Sequence, residues 1–177
     1  MDVDWNAEVV DQVDAHWRER LRPRLAGLSD DEYFWQPVAG CWTLSRRGES
    51  SAPISFGGGE FTMDYAEPPH EQEPVTTIAW RLAHLIGGLA STNDIDTYCY
   101  AGTASEALRQ LDDEYASWLD GVRRLGIAGL AAPQGKPPAF AHAPMAKKIL
   151  YENVELIHHG AEICLLRDLY LRLGPAQ

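Results

Sequence analysis

The feature that most constrains the fold of this sequence is a helical segment near its C-terminus, which no proline interrupts between Pro144 and Gly174. Pro144 suits the first turn of a helix, and Gly174 followed by Pro175 is typical of a helix end. At about 1.5 Å per residue such a helix is roughly 45 Å long, which is long for a chain of 177 residues. A helix of this length needs other helices against which it can bury one face.

Two further helices are predicted in the first half of the chain. Residues 5–25 repeat large apolar side chains at every fourth position, which is the helical period. Pro23 is expected to bend or end that helix, because proline lacks a backbone N–H. Residues 76–89 carry a second apolar stripe, with Thr76 as the predicted N-cap.

A fourth helix is predicted over residues 103–126. It opens with Thr103 and Glu106, which have the spacing of a capping box, and Gly126 is expected to end it. Four helices with apolar stripes and very few strand signals predict an all-α four-helix bundle. We expect a single domain over residues 1–177.

The connection between the first two long helices, residues 38–75, is long and rich in glycine and proline. Connections of this length are uncommon and are usually functional or mobile, so we interpret this one as the lid or wall of a pocket. Short strands are expected around residues 54–56 and 61–63. Trp35 and Trp42 are expected to pin the connection to the helices.

Ionisable side chains form a ridge on the C-terminal helix, made of Glu155, His158, His159 and Glu162. At about 100° per residue the two glutamates lie almost in line, with the imidazoles roughly 40–60° to either side. Further along the helix, the same line is apolar and is expected to face the core at Leu166, Leu169 and Leu173. Ionisable groups that face inward are costly unless they are paired or bind a metal. The ridge therefore predicts a metal site.

Glu155 and His159 are four residues apart, so their side chains lie over one turn of the helix and can share an ion. Two ligands alone bind poorly, and His84 on the helix over residues 76–89 is the candidate third ligand. His158 remains an alternative to His159. Glu162 is expected to orient a ligand from behind.

The residues alone leave two other interpretations open. The ridge could be a satisfied hydrogen-bond network in a structural bundle, or it could hold a metal or small ligand without turnover. The other histidines have no partners at ligand spacing; they are His16, His70 and His142. Cys164 is expected on the opposite face of its helix, so it is not counted as a ligand.

Composition narrows the possible partners. The net charge of −11 argues against nucleic acid and against an anionic membrane surface as partners. No apolar run approaches the length of a membrane span. Three cysteines without CxxC spacing, and an N-terminus without the pattern of a secretion signal, lead us to expect a cytoplasmic protein with reduced thiols.

Several motifs in order along the chain resemble the DinB/YfiT-like superfamily, particularly its actinobacterial members. They are the run from Leu25 to Glu32, Trp35-Gln36-Pro37, Gly40-Cys41-Trp42, the run from Thr77 to His84, and the run from Glu155 to Ile163. The resemblance implies a bundle in up-down-down-up order with a divalent metal, usually zinc or nickel, bound by three side chains. It matches His84 and His159 to the family's histidine ligands, Glu155 to a position where the family has histidine, and Glu162 to a position where it has glutamine.

The resemblance also implies a class of function. Similar proteins are S-transferases or isomerases that use a low-molecular-weight thiol, such as mycothiol, so we expect a metal-dependent transferase or hydrolase acting on a small molecule. Glu162 and His158 are the expected catalytic residues, as proton carriers, and Trp80 is assigned to cofactor binding. A homodimer formed through helix faces is compatible with this family.

Overall fold

The computed structural model describes residues 2–69, 74–90 and 95–175. Its helices are α1 (Trp5–His16), a π-helical segment (Trp17–Leu21), α2 (Arg22–Arg24), α3 (Asp30–Tyr33), α4 (Ile78–Leu89), α5 (Ala104–Ala131) and α6 (Met145–Leu173), with a 3-10 turn at Pro138–Phe140. Three strands lie in the connection between α3 and α4: β1 (Leu44–Arg46), β2 (Ile54–Phe56) and β3 (Phe61–Tyr65).

The long helices pack around a shared apolar core. Helix α5 contacts α1, α4 and α6, and α6 also contacts α1 and α4. Each of the four helices contributes fully buried aliphatic side chains: Val10 and Val13, Leu82 and Ile86, Leu111 and Leu119, Leu156 and Ile163. The prediction that the protein is mainly helical is therefore confirmed. None of the helices in the described part of the chain is both long and apolar enough to cross a membrane.

The prediction of an all-α fold is wrong in one respect, because the connection contains a small antiparallel sheet in the order β1-β3-β2. The strands expected around residues 54–56 and 61–63 are confirmed as β2 and β3. Strand β1 was not predicted, since its three residues include only one apolar side chain. It forms because Leu44 and its neighbours pair with β3, opposite Met63.

Pro23 distorts the first helix rather than ending it at once. The chain stays helical through Arg24, but the five residues before α2 are π-helical. A regular helix would bring the Pro23 ring against the carbonyl of Glu19, and the wider turn relieves that contact. The helix start is set by Asp4, whose side chain accepts hydrogen bonds from the backbone of Asn6 and Ala7 at 3.0 and 3.2 Å.

Two predicted helix boundaries and one predicted core residue need correction. The N-cap of α4 is Thr77, which accepts a hydrogen bond from the Trp80 backbone, and not Thr76. Gly126 breaks α5 with a φ of 59°, but the helix resumes and reaches Ala131. Leu173 was expected in the core and is 69% exposed, because the last turn of α6 extends past the helices that cover the rest of that face.

The two tryptophans expected to pin the connection both contact the helical part of the protein. The backbone of Trp42 bonds to Val75 and Thr77, both at 2.9 Å, just before α4. The ring of Trp35 stands edge-on to Tyr170 of α6, with centroids 5.6 Å apart. The sheet is thereby fixed beside the start of α4, where the candidate site begins.

Candidate metal centre

Helices α4 and α6 bring the predicted ligands together. One carboxylate oxygen, Oε2 of Glu155, lies 3.2 Å from Nε2 of His84 and 3.1 Å from Nε2 of His159. The rings of the two histidines are perpendicular, with centroids 4.7 Å apart. One donor atom from each residue fits within a span of 4.8 Å, so the three could hold one ion.

The spacing of these atoms suits a tetrahedral metal ion. Ligand atoms held tetrahedrally at about 2.1 Å from zinc lie about 3.4 Å from one another. The two measured distances, 3.1 and 3.2 Å, are close to that value. Two imidazole nitrogens and one carboxylate oxygen are also an acceptable donor set for zinc. The residues therefore fit a divalent ion with small movements of side chains.

Glu162 orients His159 from behind. Its Oε2 lies 2.6 Å from Nδ1 of His159 and 3.0 Å from Nε of Arg81. A proton on Nδ1, donated to Glu162, leaves Nε2 free as the ligand atom facing Glu155. Carboxylates that hold a histidine ligand in this way fix its ring and raise its basicity.

A second group of donors is available, formed by His158, His159 and Glu162. In this group His159 would have to use Nδ1, which lies 3.1 Å from a terminal nitrogen of Arg81. A guanidinium so close repels a divalent cation. The His158 side chain is also 62% exposed. Electrostatics therefore favours the group that contains His84, hereafter the metal triad (His84, Glu155 and His159).

Trp80 supports the triad from the side of the sheet. Its buried ring stacks on His84 with an angle of 7° between the planes, and its Nε1 donates to the backbone oxygen of Asp64 in β3 at 2.7 Å. The sheet thus fixes the tryptophan, and the tryptophan fixes the imidazole. Trp80 is not among the residues that line the adjoining cavity, so its contacts favour a positioning role over direct contact with a cofactor.

The protonation states suit metal binding at neutral pH. Burial lowers the pKa of His84, and this effect outweighs the hydrogen bond with Glu155, which raises it. Burial by itself raises the pKa of Glu155, but its contacts with His84, His159 and the Tyr151 hydroxyl bring the pKa below its usual value. A neutral imidazole and an ionised carboxylate are the forms that bind metal.

A cavity of about 240 Å³ adjoins the triad between α4 and α6. His84 and Glu155 form its polar end, and most of the remaining wall is apolar, with Leu85, Leu89 and Leu156. A concave, mostly apolar cavity beside a few polar groups is the arrangement expected where a protein binds a small molecule.

Arg81 belongs to the candidate site and was not predicted from the sequence. Its largely buried side chain links α4 to Glu162 of α6. A signal was present, because Arg81 is the one charged residue in the apolar sequence of α4 and lies three positions before His84. Of the remaining histidines, His16 and His142 belong to neither donor group in the described chain, and His70 lies outside the described residues.

Removing the Glu162 carboxylate tests whether this residue orients His159 without binding the ion itself. We expect Glu162→Gln to weaken zinc binding by about 10–100-fold, as the loss of an orienting group does. Competition with a chromophoric chelator measures the affinity, and Asp168→Asn, an exposed acid further along α6, serves as the control. Complete loss of binding would instead make Glu162 a direct ligand, and unchanged affinity would remove it from the site.

Comparison with known proteins agrees with the resemblance seen in the sequence. A family model described as the DinB superfamily matches residues 12–163, which is most of the chain. Neither the curated proteins nor the solved structures compared with the chain gave a match.

Proposed function

Since the chain belongs to the DinB superfamily, we propose that it is a metal-dependent enzyme that acts on a small molecule. The metal triad would hold a zinc or nickel ion. The observation that carries this proposal is the single Glu155 oxygen within 3.2 Å of imidazole nitrogens from two different helices, at the end of a cavity. Three protein ligands leave a position for a reactant, which is what catalytic sites of this kind require.

Superfamily membership, and not the donor set, favours transfer of a low-molecular-weight thiol to an electrophile as the reaction. A bound ion would supply Lewis acidity, which ionises a thiol with a pKa near 8.5 far more readily than water with a pKa near 15.7. Glu155 brings a negative charge where a third histidine would bring none. This charge makes the bound ion less effective at lowering the pKa of a water or thiol that it binds. Hydrolysis is the alternative reaction, because two histidines and one glutamate also hold the zinc ion of catalytic hydrolases; mycothiol is the proposed thiol for the transfer.

Other residues of the site would position the ligands and carry protons. Glu162, which pairs with Arg81, holds the His159 ring, and Trp80 holds the His84 ring. His158 is exposed, and its Nε2 lies 3.3 Å from Oε1 of Glu162. We propose that these two residues pass a proton between solvent and the site, a role that histidine side chains can take near neutral pH.

The bundle order belongs to the same proposal. We infer the up-down-down-up order of the four long helices from family membership, with the long connection passing from α1 to α4. A homodimer is proposed on the same basis, whereas a cytoplasmic location rests on the cysteine pattern and a single domain over residues 1–177 rests on chain length.

The test is to purify the protein without chelator and to measure its metal content and its turnover. We expect about one zinc or nickel ion per chain and metal-dependent consumption of mycothiol with some member of a panel of electrophiles. Chelator treatment should abolish the reaction and metal addition should restore it. Bound metal without turnover would favour a non-catalytic binding protein, and hydrolysis without thiol would favour a hydrolase. A metal-free protein would overturn the proposal.

A further inference from the structure

The three lysines of the chain, at positions 136, 147 and 148, each line one or more of three adjoining cavities, and Lys148 lines the one beside the candidate metal centre. The protein carries a net charge of −11, so this is a local reversal of the prevailing sign. Lys148 lines the cavity of about 240 Å³ beside the metal triad and also the two adjoining cavities of about 400 Å³ each. A positive group therefore stands where the three cavities meet.

The ammonium of Lys148 is held in place and still has donors to offer. Its Nζ pairs with Glu152, whose other oxygen accepts a hydrogen bond of 2.7 Å from Nε1 of Trp118. The Glu152 side chain is 9% exposed and that of Lys148 is 31% exposed, so the pair presents its positive end outward. An ammonium has three N–H donors, and the contact with Glu152 leaves others for a ligand.

The wall between Lys148 and the metal triad is mostly apolar. Leu85, Leu89 and Leu156 form most of it, Tyr151 and Glu152 also line it, and a Cβ added at Gly88 would meet nothing within 4 Å. Seven residues of α6 separate Lys148 from Glu155, which corresponds to about 10 Å along the helix axis. A ligand that spans this distance needs an anionic end, an apolar middle and a reactive end.

We propose that this cavity binds an organic acid, with its carboxylate on Lys148 and its apolar body against the three leucines. The proposal rests on the proposed function, because the acid would be the substrate whose far end reaches the metal triad. Charge-assisted hydrogen bonds to a carboxylate are among the strong polar contacts in proteins, and they would select acids over neutral molecules of the same shape.

Calorimetric titration of the metal-loaded protein with 4-phenylbutanoate and with 4-phenylbutan-1-ol tests the proposal. We expect the acid to bind at least about tenfold more tightly than the alcohol. Lys148→Met should remove that preference by weakening the acid about tenfold while leaving the alcohol unchanged. Lys147→Met is the matched control: its Nζ lies over the Phe140 ring at 5.3 Å and does not line the cavity beside the triad, so the preference should remain.

Two further variants keep the test decisive. If Lys148→Met does not fold because Glu152 is left unpaired, the double variant Lys148→Met with Glu152→Gln removes both charges and should show the same loss. Gly88→Leu should fill the cavity, so that both ligands lose affinity while bound metal is retained. Equal binding of acid and alcohol to the wild type, or no binding of either, would overturn the proposal.

The His84→Ala variant separates this proposal from the proposed function. Acid binding that survives in His84→Ala and depends on Lys148 supports the acid site whether or not the wild type binds metal. Acid binding that disappears in His84→Ala but persists in Lys148→Met would place the carboxylate on the metal. That outcome would overturn the acid site while leaving the metal-dependent function intact.

Discussion

Alanine in place of His84 is expected to empty the metal site, with bound zinc falling from about one equivalent to a small fraction of one. The variant removes one of three ligands, and losing even an orienting group costs roughly 10–100-fold in metal affinity, so the loss here should exceed that. His84 is half-buried at the edge of the cavity and the core beneath it is aliphatic, so the fold should survive.

The loss should also appear as lost thermal stabilisation. Zinc at a free concentration 100 times its Kd stabilises a native protein by about 2.7 kcal/mol. For a chain of this size that corresponds to about 5–10 °C in Tm. We expect this zinc-dependent increase in the wild type and not in His84→Ala. Calorimetric melting with and without zinc measures the effect, and metal analysis measures occupancy.

The neighbouring histidine, His158, provides the matched control for His84→Ala. His158→Ala removes an imidazole from the same helix, next to His159, and should leave the metal content unchanged. Glu155→Gln should resemble His84→Ala. The opposite pattern, with metal retained in His84→Ala and lost in His158→Ala, would transfer the site to the second donor group of His158, His159 and Glu162. That result would contradict the assignment of the metal triad.

The largest expected effect on stability lies away from the site, in Arg167→Ala. Arg167 makes a two-point contact with Glu32 of α3, with distances of 2.6 and 3.1 Å, and bonds to the backbone oxygens of Arg24 and Ala26. The side chains of the pair are only 16% and 6% exposed. Removing the guanidinium leaves the Glu32 carboxylate buried and unpaired, which costs about 3–5 kcal/mol in the free energy of unfolding.

Urea unfolding followed by circular dichroism measures this loss. Asp168→Ala is the control on the same helix, because its pair with Arg24 is exposed on both sides and should contribute little. Substituting both buried partners, as Arg167→Met with Glu32→Leu, should recover much of the stability, since no isolated charge remains. A loss below about 1 kcal/mol in Arg167→Ala would show that Glu32 reaches water or another partner once the arginine is gone.

Local patterns predicted the helices well. The capping box at Thr103 is present, with the Glu106 backbone N–H bonded to the threonine hydroxyl at 3.3 Å. The strands around residues 54–56 and 61–63 are also present, as β2 and β3. The capping contact joins residues three positions apart, and β2 and β3 carry apolar side chains that mark them as strands, so both can be read from the local sequence. Strand β1 was missed because only one of its three residues is apolar, and its pairing with β3 shows only in the folded chain.

The site shows the same division. Glu155 and His159 are four residues apart on one helix, so their side chains are neighbours in any tertiary environment. The choice between His158 and His159 was open in the sequence, since both flank the ridge by similar angles. The structure places His159 inward, 9% exposed, and His158 outward. Their ligand roles remain predictions that metal analysis will test.

The helical segments, the superfamily and the kinds of donor atom on α6 could all be predicted before folding was considered, because periodicity and spacing act within single elements. The contact of His84 with Glu155, the position of Arg81 behind His159 and that of Lys148 at the cavity became visible once the helices were packed together. Those relations depend on the rotation and crossing of α4 against α6, and packing of side chains across the whole core sets that geometry.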